Sequence, residues 1–214
     1  MKITTIIIHA FAVFMLTIAI VITSQAQNPN DSTNRSDKQK QQIELSKTNS
    51  NHQLLAGLNG EWTFKGRHIP VDSTQKPVET FGTITRKGIW ENRYFITETS
   101  SGKKIKMEWA DGKEMTYHDM YMEGYDNAKK KFFFTLIANH WSTGYMSCEG
   151  HYDSTTSTLT YEGELEAAPG TIIKVRRIIK FIDPDHYKEE WHRSIGGKQL
   201  QRTESTYTRT KTAK

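Results

Sequence analysis

The sequence predicts an all-β fold, a single antiparallel up-and-down barrel of about ten strands led in by a short helical turn. Two observations carry that expectation. Beyond Leu54, apolar and polar residues alternate with period two in run after run, and the runs are rich in Thr, Tyr, Phe, Ile and Trp, residues that suit a pleated, half-buried surface. Between the runs sit turn-forming groups, Asp126-Asn127, Asp153-Ser154, Pro169-Gly170, Asp183-Pro184-Asp185 and Gly196-Gly197, which join strands tightly. A sheet made of so many hairpins leaves two unpaired edges unless it closes on itself. A closed barrel of this size has an interior able to hold one small ligand.

The 214-residue chain opens with Lys2, an apolar run from Ile3 to Ile22, and then Ser24-Gln25-Ala26. This is the pattern of a secretory signal peptide over residues 1–26, with the expected cut between Ala26 and Gln27. The run is also long enough to be an uncleaved anchor, but the small residues before Gln27 favour cleavage. The expectation is therefore an exported protein, periplasmic or extracellular, with no membrane attachment once the signal is removed. Residues 27–53 are rich in Asn, Gln, Ser, Lys and Asp. They read as a disordered polar linker, because such a segment buries too little surface to offset its ordering entropy. Residues 54–214 have the length of one domain.

Within that domain the first strand runs through Trp62–Ile69. Further strands are expected near Glu79–Lys87, Trp90–Thr99, Thr116–Tyr125, Lys131–Asn139, Thr143–Tyr152, Thr158–Leu165, Thr171–Ile182, His186–Arg193 and Gln199–Thr208. A further short strand fits between Lys104 and Trp109. The net charge of +5 is spread over Lys and Arg interleaved with Asp and Glu, which is the pattern of a solvated face and not of a nucleic-acid footprint. The single cysteine, Cys148, cannot form an intramolecular disulfide and reads as a small buried hydrophobe.

The residues Leu55-Ala56-Gly57-Leu58-Asn59-Gly60-Glu61-Trp62 resemble the opening of calycin barrels, a helical turn followed by Gly-x-Trp entering the first strand. The later groups Gly124-Tyr125-Asp126-Asn127, Ser142-Thr143-Gly144, Gly150-His151-Tyr152-Asp153 and Tyr207-Thr208-Arg209 fall in the order and spacing of one bacterial family, catalogued as domain of unknown function fifteen seventy-nine. The resemblance covers roughly Leu54 to Lys211. It implies a lipocalin-like fold, related in shape to fatty-acid-binding proteins and nitrobindins, in which Trp62 closes the barrel floor against Arg209. The sequence departs from the family at Glu91-Asn92-Arg93-Tyr94-Phe95, where Gly-Gly-Arg is usual, and at Leu136, where Trp is frequent. The family has no assigned activity, so the resemblance speaks to fold and leaves the ligand open.

Candidate binding residues follow from residue type and strand position. Arg93, Tyr94, Trp141, His192 and Glu204 are the candidates for contact with a ligand, and Trp90 and Trp191 are further aromatics that could line a pocket. Glu204 lies in a strand whose two faces are equally polar, so alternation does not orient it. If it faces inward it needs a partner, for which Arg93 and Arg176 are available. Glu162, Glu164 and Glu166 alternate with Leu159, Tyr161, Gly163 and Leu165 and belong to an outer face. His192 sits where a haem-binding barrel could place an axial ligand, but a lone histidine is weak grounds for one. No histidine pair has the spacing of a zinc site, and no cofactor, metal or catalytic residue is expected. Three readings stay open: a barrel that binds a small, largely apolar ligand, a barrel isomerase or hydrolase acting on a small apolar substrate, and an envelope-interaction module with a filled barrel. The sequence does not specify the oligomeric state.

Overall fold

The computed structural model describes residues 29–72, 74–107, 111–139 and 145–210. The signal-peptide segment, Trp109, Trp141, the Ser142-Thr143-Gly144 group and Lys211 lie outside them. Two helices precede ten strands: α1 (Pro29–Leu45), α2 (Ser50–Ala56), β1 (Gly60–Pro70), β2 (Val78–Ile89), β3 (Tyr94–Met107), β4 (Lys113–Asp126), β5 (Lys131–Ala138), β6 (Met146–Asp153), β7 (Thr158–Ala168), β8 (Thr171–Asp183), β9 (His186–Ile195) and β10 (Lys198–Arg209). Every strand pairs antiparallel with its neighbours in sequence, and β1 pairs with β10 to close the barrel. The expected short strand near Lys104 is the far half of β3, separated by a register shift between Ser100 and Lys104.

Alternation fixes what faces inward. On β7, Leu159, Tyr161 and Leu165 are buried while Glu162, Glu164 and Glu166 are exposed. On β8, Val175, Arg177 and Ile179 are buried between exposed Lys174, Arg176 and Lys180. The hairpin joints fall where turn chemistry places them. Gly196 and Gly197 take φ of 54° and 80° between β9 and β10, the left-handed conformation that a two-residue hairpin turn of this kind needs. Gly66 answers a different demand, because a Cβ there would lie 2.2 Å from the Glu204 carbonyl oxygen where β1 coils against β10.

One end of the barrel is shut. Trp62 is fully buried and its Nε1–H donates to the Leu58 carbonyl at 2.9 Å. Its ring packs edge-on against Tyr187, with centroids 4.9 Å apart. The Arg209 guanidinium carbon lies 4.1 Å from the Trp62 ring centroid. Arg209 Nη2 donates to the carbonyls of Gly57 and Pro184 at 2.8 Å, and Nε pairs with Asp185 at 3.2 Å. One planar cation thus ties the β8–β9 turn and the lead-in to β1 over an aromatic face, which a lysine point charge does not reproduce. Below it α2 seals the floor with Leu55, followed by Leu58.

The compact unit that holds the barrel starts at Thr48. His52, inside the expected linker, is buried, and its Nδ1 accepts from the Asn49 N–H to complete a capping box. Asn49 also donates to Asn127 in the β4–β5 turn at 2.7 Å. The remainder of the expected linker carries α1, whose described side chains, from residue 36 on, are exposed all round. The C-terminal half of α1 carries helix-favouring Lys, Gln and Glu, its Ile43 and Leu45 are exposed, and Lys40 pairs with Asp37 at 3.5 Å.

Trp62→Ala should destabilise the barrel by about 3–5 kcal/mol because it removes a large buried ring and leaves a cavity. Arg209→Lys should cost about 1–2 kcal/mol. Denaturant unfolding of both variants checks the order. Burial, then the nearby Arg93 charge, holds the His52 pKa below the usual histidine value. The folded state therefore disfavours its protonation, so stability should be full above about pH 6.5 and fall as the unfolded chain takes up protons below it. His68, also shifted down by burial and Arg193, works in the same direction. Unfolding midpoints measured from pH 8 to pH 5 should show a shallower fall for His52→Gln than for the native chain.

Candidate functional site

Four charged residues occupy inward positions that strand alternation reserves for the core: Arg86 on β2, Glu123 on β4, Arg177 on β8 and Glu189 on β9, all buried. Arg177 is saturated. Its Nε and Nη2 donate to one Glu189 oxygen at 3.0 and 2.7 Å, Nη1 donates to Glu123 at 2.8 Å, and Nη2 also donates to the Tyr121 hydroxyl at 3.0 Å. Its guanidinium lies over the rings of Tyr121, Trp191, Phe134 and Tyr161 at 4.7 to 5.7 Å. The other Glu189 oxygen accepts from Trp191 Nε1 and from the Tyr207 hydroxyl. Arg86 is placed differently. Only Nη1 is engaged, with the second Glu123 oxygen, and the guanidinium rests 5.1 Å from the Phe95 centroid. Burial pulls the Arg86 pKa down. Burial also opposes the charge on Arg177, but Glu189 and the tyrosines more than restore it.

Burial is graded along the barrel axis. Towards α2 the inward residues Trp62, Phe95, Phe132, Leu159, Ile179 and Tyr187 are closed off from solvent. Towards the other rim burial is uneven: inward His68, Thr80, Tyr117, Asp119, Trp191, Arg193 and Thr203 are half-buried, whereas Met107, Met146, Leu165 and Val175 are buried. Among the described residues this end is a half-buried cup on the side of β1, β2, β9 and β10, with the Arg177–Glu189 layer beneath it. One wall is built of small residues, Ser205, Gly66 and Thr80 being register neighbours across β10, β1 and β2, with Gly82 next to Thr80 in the inward series of β2. The cup is polar at its rim. The Tyr117 hydroxyl donates to Asp119 at 2.5 Å, His68 Nδ1 lies 3.4 Å from the Thr203 hydroxyl, and burial brings the Arg193 pKa down to about 10. Burial raises the Asp119 carboxyl above the usual range.

The residues singled out by type fall elsewhere. His192 and Glu204 face outward, the parity opposite to Trp191 and Tyr207. Glu204 pairs with Arg67 at 3.1 Å and with Arg202, and His192 lies 3.2 Å from Glu190. The expected partners of Glu204, Arg93 and Arg176, are not the ones it has. His192 and Glu204 each line a shallow outer-face groove with charges of both signs. Tyr94 lies outside next to inward Phe95, in an aromatic row with Trp90 and Phe133 at centroid spacings of 5.6 and 6.2 Å. Trp90 is 73% exposed in a turn of three successive left-handed residues, Trp90 to Asn92. Arg93 sits at the closed rim, near enough to His52 to perturb it. Trp141 is outside the described residues. Of the aromatics proposed to line a pocket, Trp191 alone among the described residues faces the interior. Cys148 is buried and its thiol is pushed up to about 12 by burial, which suits a core residue.

No group of three or more His, Cys, Asp or Glu among the described residues could hold a metal ion. No helix of the described residues is long and apolar enough to cross a membrane. The sequence did carry a signal for the buried layer. Arg177 lies between Val175 and Ile179, Glu189 between Tyr187 and Trp191, Arg86 follows Ile84 by two and Glu123 follows Tyr121 by two, so four charges share the parity of core residues.

A closed ten-stranded barrel with a helical plug at one end and a cup at the other is a lipocalin-like barrel. The family described as protein of unknown function DUF1579 matches residues 47–209, and the chain belongs to it. No curated protein matches the chain. Among solved structures, Rv2717c from M. tuberculosis superposes with a TM-score of 0.51 at 16% identity, covering 74% of this chain and 96% of that one. An S-type phycobiliprotein lyase, CPES from Guillardia theta, gives a TM-score of 0.48 at 11% identity, covering 80% of this chain and 98% of the lyase.

Arg177→Met should destabilise by about 3–5 kcal/mol, because it strips Glu123 and Glu189 of a buried counter-charge. Arg67→Ala breaks an exposed pair and should cost less than about 1 kcal/mol. Paired urea titrations measure the contrast.

Proposed function

We propose that the protein is exported after cleavage between Ala26 and Gln27 and that the open half of its barrel binds a small, largely apolar molecule. The observation that carries the binding reading is that inward His68, Thr80, Trp191, Arg193 and Thr203, on β1, β2, β9 and β10, are half-buried beside a wall of Ser205, Gly66, Thr80 and Gly82, while Met146, Leu165 and Val175 on β6, β7 and β8 are buried. Trp191 and half-buried Phe64, whose ring packs on Gly82, offer apolar surface to a ligand body. Polar groups at the rim set orientation, the usual division of labour in a binding site.

Titration with an environment-sensitive hydrophobic probe should give saturable binding. Thr80→Trp, which puts bulk into the cup, should weaken it by about tenfold or more, equivalent to at least about 1.4 kcal/mol, with the circular dichroism spectrum unchanged. No saturable binding by the native chain would instead favour an interaction module. N-terminal sequencing of protein recovered outside the cytoplasm tests export, with Gln27 the expected first residue.

A further inference from the structure

Four buried hydrogen-bonding atoms in and beside the charged layer have no partner: Nε and Nη2 of Arg86, the Thr97 hydroxyl and the Tyr161 hydroxyl. Buried polar side-chain groups are ordinarily partnered, and these share a property, since every one can donate a hydrogen bond. Arg86 and Thr97 are direct register partners across β2 and β3 and both face inward, which places their Cβ atoms about 5 Å apart. The Tyr161 ring centroid lies 5.7 Å from the guanidinium of Arg177, which shares Glu123 with Arg86. The acceptors nearby are already engaged: Glu123 takes one bond from each arginine, and Glu189 is occupied by Arg177, Trp191 and Tyr207. Arg177 has two carboxylates, whereas Arg86 has one oxygen of a shared carboxylate. The cluster is thus a set of donors around a half-compensated cation. The inward series of β2, Thr80, Gly82, Ile84, Arg86, and of β3, Thr99, Thr97, lead from the open cup towards it.

We infer that Arg86, Thr97 and Tyr161 form a seat for the carboxylate head of a small amphipathic acid whose apolar body lies in the cup. The inference rests on the ligand-binding reading and adds the chemistry of the head group. Two arginine N–H groups and two hydroxyls that can turn their hydrogens inward suit an acceptor-only head, and a negative charge completes the compensation that Arg86 lacks.

Isothermal titration of the full chain with decanoate, decanol and methyl decanoate tests the seat. Decanoate should bind about tenfold more tightly than the other two, the scale of one charge-assisted hydrogen bond. Tyr161→Phe and Thr97→Val, each removing one hydroxyl at nearly constant shape, should weaken decanoate about three- to tenfold and leave decanol unchanged. Neither should lower the melting temperature of the unliganded protein, because the hydroxyl removed has no partner there. Equal affinity for the three compounds would overturn the seat while leaving the binding reading standing. A lowered melting temperature with unchanged decanoate affinity would also overturn it, by showing the hydroxyls to be structurally engaged. Failure of all three compounds to bind, together with no probe binding, would overturn both.

Discussion

Glu123 is the side chain on which the interior of this barrel turns. It is fully buried, and its two oxygens face two different arginines, Arg177 on β8 and Arg86 on β2. A lone arginine at either position would be a buried charge without compensation, and a lone glutamate the same. The three are mutually required, and through Arg177 the requirement extends to Glu189 and its donors Trp191 and Tyr207. Side chains from β2, β4, β8, β9 and β10 are thereby held to one arrangement in the middle of the barrel. Apolar packing alone tolerates exchange among similar shapes, whereas a layer of directional, charge-assisted bonds fixes which strand faces which.

That layer also divides the interior by chemistry. Below it the packing is aromatic and aliphatic, closed by Trp62 and Arg209 and plugged by α2. Above it half-buried and mostly polar residues, His68, Thr80, Tyr117, Asp119, Arg193 and Thr203, share the interior with Trp191 and with buried Met146, Leu165 and Val175. The two halves use the same period-two alternation, so the difference lies only in which side chains occupy the inward positions.

The fold was legible in the sequence because barrels of hairpins are encoded locally. Alternation on β7 separated Leu159, Tyr161 and Leu165 from Glu162, Glu164 and Glu166, and Gly196-Gly197 marked a joint that only left-handed residues satisfy readily. The candidate site was less legible. On β10 both faces are polar, so Glu204 could not be oriented by alternation, and its partners Arg67 and Arg202 come from the strand pairing itself. His192 and Tyr94 drew attention by residue type although each neighbours an inward residue, Trp191 and Phe95, which places it outside. The buried layer was readable by the opposite route, from charges standing at core parity. Its pairings were not, since Glu123 and Arg177 are 54 residues apart and meet across the barrel.

The closing pair of strands has a geometric consequence. β1 starts and β10 ends at the shut rim, where Trp62 and Arg209 are register partners. Both covalent exits of the barrel unit therefore lie at the pole opposite the cup. A tether, fusion or solid support attached at either exit joins the barrel at the pole away from the cup. A linker joining the two exits would need to span only neighbouring strands, so the unit is suited to circular permutation with new ends cut in a hairpin at the open rim.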